Sequence, residues 1–182
     1  MKKSLLSVAS VALVLAAVNA QAESVNNPGG NISFLGSLVA STCVIDSGDQ
    51  SKSVTLGQYA TSIFKNIGDQ TPDVPFTIRL TGCAKAANNY GLRFEGTTVN
   101  SSPNLLALKS TSDLGVGIEI LGAGDKVINL NQPADDTTWQ AAQAAGATDI
   151  TTFNLKAHYK SFAQKVSSGD AASNVKFVIA YK

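Results

Sequence analysis

Apolar and polar positions alternate along most of this chain, and long helical periodicity is absent. Residues 74–83 show it best: Phe76, Ile78 and Leu80 interleave with Thr77, Arg79 and Thr81, the two-residue repeat of a half-buried strand. Further strands are predicted at 31–40, at 53–59 with Val54 and Leu56 on one face, at 90–97 with Leu92 and Phe94, and at 105–109. Residues 115–121 and 126–130 read as a hairpin around a Gly-Ala-Gly-Asp loop at 122–125. Phe153, Leu155, His158, Tyr159 and Phe162 belong to a penultimate strand, and residues 175–182 to a last one. Clusters of Gly, Asn, Asp, Ser and Pro separate these runs. A short helix is expected at 60–66, and the polar, Ala-rich stretch 131–149 reads as a loop with one helical turn near Trp139. Short strands at this spacing predict an all-β, immunoglobulin-like sandwich with no internal repeat and no second domain.

Residues 1–22 read as a signal peptide. Lys2 and Lys3 precede an apolar run at 5–18, and Ala20-Gln21-Ala22 supplies the small-x-small pattern before cleavage. The run is shorter than the roughly 20 residues a membrane span needs, so the alternative of an N-terminal anchor is disfavoured. The expected mature chain is residues 23–182, a length that fits one domain with a sizeable core.

Export changes the reading of the two cysteines. In an oxidising compartment Cys43 and Cys83 are expected to form a disulfide, the alternative being two unpaired buried thiols. Such a bridge contributes about 4 kcal/mol for a loop of this length in the chain-entropy view. Removing Lys2 and Lys3 from 14 basic against 13 acidic residues leaves the mature chain at −1. Arg79 and Arg93 are its only arginines, and no basic cluster stands out, which argues against a nucleic-acid partner. One His and two Cys are too few for a structural zinc set.

Candidate chemistry is thin. Ser62-x-x-Lys65 matches the motif of penicillin-binding enzymes, but Ser-Asp-Asn and Lys-Thr-Gly are both missing. His158 is the only imidazole for a Ser-His-Asp set, and its place in an alternating strand favours a structural histidine. Asp135 and Asp136 could pair for acid–base work or calcium, yet neighbours in a polar loop usually stay solvated. Gly122 and Gly124 lack the βαβ context of a dinucleotide fingerprint. Asn31 and Asn100 fit the glycosylation sequon, and Trp139 alone is a slender basis for stacking on a sugar. No enzyme, cofactor or metal site is expected.

The two ends carry more information. Val175, Phe177, Ile179 and Tyr181 share one face of a strand that nothing follows, an apolar edge that invites pairing with another chain. Residues 30–39, strand-like at the other end, are a candidate partner. Two such ends on one small domain predict a polymerising subunit.

With these pieces in order, the mature chain resembles the structural pilins of chaperone–usher fimbriae, and among them the type 1 pilus major subunit. The resemblance rests on Gly30-x-Ile32-x-Phe34-x-Gly36, on Ser41-Thr42-Cys43-Val44, on Leu80-Thr81-Gly82-Cys83, on the penultimate Tyr181 and on Gly169, fourteenth from the end. It implies an incomplete immunoglobulin-like sandwich whose last strand is missing, with residues 23–36 as an N-terminal donor-strand extension and 37–182 as the pilin domain. A periplasmic chaperone would lend a strand beside Val175, Phe177, Ile179 and Tyr181 and hold the carboxylate of Lys182. At the outer-membrane usher the arm of the next subunit would replace it, with Gly30 setting the register and Ile32 and Phe34 inserted in the groove. Burying those two side chains would contribute roughly 3–6 kcal/mol. The implied product is a head-to-tail homopolymer exported through the periplasm to the cell-surface fimbrium, serving adhesion, with no membrane span.

Two other readings compete. A minor adaptor, tip or carbohydrate-binding fimbrial subunit resembles this family, but such adhesins carry a separate lectin domain and lack the arm. Alternatively, residues 31–39 are simply the first strand of a self-contained sandwich. A secreted enzyme on the same fold fails for want of a nucleophile–base pair.

Overall fold

The computed structural model describes residues 33–34, 43–83, 89–99, 102–110, 113–141 and 150–181. Contacts divide the chain into two units, Met1–Ser37 and Leu38–Lys182. In the first, Ser33 and Phe34 are described and both are exposed.

The second unit is built of strands, β1 (Val44–Ile45), β2 (Val74–Thr81), β3 (Asn89–Glu95), β4 (Thr98–Val99), β5 (Ser102–Leu106), β6 (Val116–Leu121), β7 (Trp139–Ala141), β8 (Ile150–Ser161) and β9 (Lys176–Tyr181). One sheet runs β1-β2-β8-β6-β5-β4, the other β7-β3-β9, and every pairing is antiparallel. Alternation explains the core. Phe76 and Ile78 of β2 lie opposite Leu155 and Phe153 of β8 on one face. Tyr90, Leu92 and Phe94 of β3 supply the other sheet's layer, and all of these join one apolar cluster with Leu106, Ile120, Ile128 and Leu130. Cys43 and Cys83 are bonded, closing the end of the β1–β2 ladder.

Several boundaries differ from the sequence reading. Residues 60–66 hold a single 3₁₀ turn, Thr61–Ile63. The second half of the hairpin at 126–130 is reduced to one bridge, Leu121 with Val127, although Ile128 and Leu130 are buried. Residues 105–109 are not a strand of their own, since the pairing starts earlier, in β5. At Trp139 a strand replaces the expected helical turn. Asp135 accepts from the Thr137 and Thr138 amides and turns the chain, after which Trp139 lies opposite Gly91 of β3. A Cβ on Gly91 would sit 2.8 Å from the Trp139 ring, so glycine there makes the room. Residues 31–32, 35–40 and 142–149, on which other sequence readings fall, are outside the described set.

Candidate functional site

Among the described residues β9 pairs with β3 alone, and its second edge has no strand beside it. The register sets Tyr90 opposite Tyr181, Leu92 opposite Ile179 and Phe94 opposite Phe177. The β3 members of these pairs are 0–2% exposed. The β9 members reach the same core cluster but are only partly covered. Tyr181 rests edge-on against Tyr90, ring centroids 5.7 Å apart.

Beside that half-covered strand lies a groove of about 530 Å³. Val175 and Phe177 form one wall, residues 51–54 and Leu56 the other, and Phe76, Ile78, Ile118 and Ile120 line the floor. The wall at 51–56 corrects the strand expected at 53–59: no ladder forms there among the described residues. Val54 and Leu56 still turn their apolar face inward, and Leu56 is buried. A strand is defined by its pairing, and here the neighbouring position across the groove is open.

Electrostatics hold this wall in place. Asp49, whose side chain is 1% exposed, accepts from the Arg79 backbone N–H and from Arg79 Nε, each at 2.9 Å, and pairs with Lys52. Arg79 Nη2 also reaches Asp46 Oδ1 at 2.9 Å, and the Asp46 amide donates to the Arg79 carbonyl. Burial alone would push the Asp49 carboxyl up, but hydrogen bonds from Lys52 and Arg79 outweigh it and hold it below the ordinary carboxylate range. The segment before the groove is thereby fastened to β2.

Of the residues singled out in the sequence, Val175 and Phe177 line the groove, while Ile179 and Tyr181 pack against the core farther along β9. Gly169 lies in the preceding loop against Leu114, where a Cβ would come within 2.8 Å of Leu114 Cδ2. Gly30, Ile32 and Lys182 fall outside the described residues, and Phe34 is 91% exposed. The enzymatic candidates are scattered. Ser62 is exposed in its 3₁₀ turn, Asp135 is engaged in its own turn, and His158 is buried between Asp73 and Glu119. Trp139 donates from Nε1 to the Ala134 carbonyl. The groove's floor and its 51–56 wall escaped the sequence reading, because apolar alternation reports burial and not whether a neighbour is missing.

Comparison with known proteins agrees with this geometry. A family model described as fimbrial protein matches residues 32–182. The type-1 fimbrial protein subunit of Serratia marcescens is 36% identical over 187 residues, spanning 100% of both chains. The fimbrial subunit type 1 of Salmonella typhimurium is 37% identical over 172 residues, 92% of this chain and 90% of that one. In fold, the chain is similar to the crystal structure of the P pilus rod subunit PapA, with a TM-score of 0.64 at 20% identity over 77% of this chain and 99% of that one. The structure of a chaperone–usher pilus gives a TM-score of 0.61 at 21% identity, covering 88% and 100%. The sandwich is thus immunoglobulin-like, with one edge of β9 unpaired among the described residues, and the chain belongs to the fimbrial protein family.

Proposed function

We propose that this fimbrial subunit polymerises by accepting a strand from another molecule into the groove between β9 and residues 51–56. The carrying observation is the contrast across β9. Its inward side chains reach the core yet stay half-covered, beside a groove flanked by the open edge of β9 and by residues 51–56, which form no ladder among the described residues. A strand laid there would satisfy main-chain groups on both sides and fill alternate pockets, the physics of strand addition.

The occupants follow from the family. A periplasmic chaperone fills the groove first and takes the Lys182 carboxylate. The arm of the next subunit, residues 23–36 with Gly30, Ile32 and Phe34, then replaces it at the outer-membrane usher. Because donor and acceptor surfaces differ, the contact does not close on itself and a filament grows. The filament stands on the cell surface and serves adhesion, and the subunit's role is structural, not catalytic.

Deleting residues 23–34 tests the scheme. The shortened subunit should still copurify with its chaperone while electron microscopy finds no filaments on cells that make it alone. Filaments built from the shortened chain would overturn the reading.

A further inference from the structure

Behind the groove floor, on the opposite face of the six-stranded sheet, lies a row of charges that takes no part in lining the groove. Lys156, His158 and Lys160 are alternate residues of β8 and share the face turned away from Leu155 and Ala157. Acids from neighbouring elements interleave with them. Lys156 Nζ meets Asp125 at 2.6 Å and Asp73 at 3.7 Å. Lys160 Nζ reaches both Glu119 oxygens, at 2.9 and 3.1 Å, and Asn104 Nδ2 donates to Glu119 Oε1 at 2.7 Å.

His158 sits at the centre and is 1% exposed. Its Nδ1 lies 2.8 Å from Asp73 Oδ1, just ahead of β2, and its Nε2 lies 3.2 Å from Glu119 Oε2 of β6. The second is a close contact without hydrogen-bond alignment. Glu119 is itself buried, at 2% exposure, and is the register partner of His158.

A neutral imidazole carries one N–H, so it could serve only one of these carboxylates and would turn a lone pair on the other. Only the doubly protonated ring suits both. The residues flanking the pair, Ile118, Ile120 and Ala157, line the groove on the other face of the same strands. We propose that His158 is a protonation-dependent clamp tying β2, β8 and β6 together behind the groove floor, closed while the ring holds both protons and opened when it loses one.

The direction of the pH effect follows. Burial disfavours the charged ring, but Glu119 and Asp73 outweigh it and raise the His158 pKa above its ordinary value. Glu119 is held below the carboxylate range despite its own burial, by His158 and Lys160. With the folded value raised, the clamp's stabilisation is complete below about pH 6.5 and is lost as pH rises through the folded value. The fold therefore loosens on the alkaline side.

The mature protein purified from cells tests this directly, because His158 is the only histidine in the chain. Solid-state NMR of protein labelled with ¹⁵N-histidine should show both ring nitrogens protonated at about pH 6.5, where a free imidazole is half neutral, with one signal changing as pH rises further. A neutral tautomer dominating at about pH 6.5 would overturn the clamp. The thermal midpoint, followed by circular dichroism, should fall by roughly 3–5 °C as His158 deprotonates, and His158→Gln should abolish that fall. A variant whose midpoint tracks the parent across the range would also overturn it. Should the variant fail to accumulate, the NMR titration of the parent decides alone.

Discussion

Phe177 of β9 lies directly opposite Phe94 of β3, yet Phe94 is sealed in the core while Phe177 is left half-covered at the lip of the groove. Two rings in one register position thus differ in cover: one is almost wholly enclosed, the other only partly.

Phe177→Asp should therefore harm capture more than it harms any finished contact. The two cations lining the groove, Lys52 and Lys176, are already paired with Asp49 and Glu95, and desolvating a further carboxylate at the lip under an added strand is costly. The variant subunit should fail to copurify with the chaperone and should be degraded in the periplasm. Its secretion as a soluble monomer at the parental level would contradict the strand-acceptor reading.

The wall at 51–56 makes a separate demand. Asp49→Ala removes the acceptor for the Arg79 backbone N–H, Arg79 Nε and Lys52, and should cost about 2–3 kcal/mol, the scale of a buried, charge-assisted set of bonds. Because the folded Asp49 pKa is depressed, its contribution is present above the unfolded value near 3.9 and is lost as pH falls through the folded value. Denaturant midpoints at pH 7 and in strong acid should show the parent approaching the variant only in the acid. A constant difference at all pH values would exclude this role.

Much of this was legible in the chain and some was not. Phe76, Ile78 and Leu80 announced β2 through strict alternation, and the core they join is the one expected. Residues 53–59 carry the same alternation but form no ladder, because a strand depends on a neighbour and period two cannot report that the neighbour is missing. Trp139 looked loop-bound because Ala and Asp surround it, while the deciding feature, the vacant Cβ position of Gly91, lies 48 residues earlier in sequence. The burial of His158 was equally hidden, since Asp73 and Glu119 are brought to it only by the β2-β8-β6 order.

Gly91→Val should accordingly be destabilising by about 1–3 kcal/mol, because its side chain would meet both the Trp139 ring and Ala134 Cβ, at 2.8 and 2.9 Å for the first carbon alone. The loss should appear as a lowered unfolding midpoint, accompanied by a change in Trp139 fluorescence. An unchanged emission spectrum would mean that the ring does not depend on this gap.

Replacing both Cys43 and Cys83 with Ser should cost about 4 kcal/mol, given the 40-residue separation the bond spans. The yield of chaperone-bound subunit should fall in parallel, and reductant added before capture should reproduce the effect on the parent. Equal yields with and without reductant would assign the bond no part in capture.

The position of that bond also sets the route of a pulling force. In a fibre pulled through the segment before residue 43, tension entering the domain crosses from Cys43 to Cys83 through sulfur and bypasses the 39 residues between them. Those bypassed residues include the groove wall and β2, which is held to β8 along eight consecutive residue pairs. The sulfur link thus keeps traction off the loop that walls the groove and off the longest ladder among the described strands.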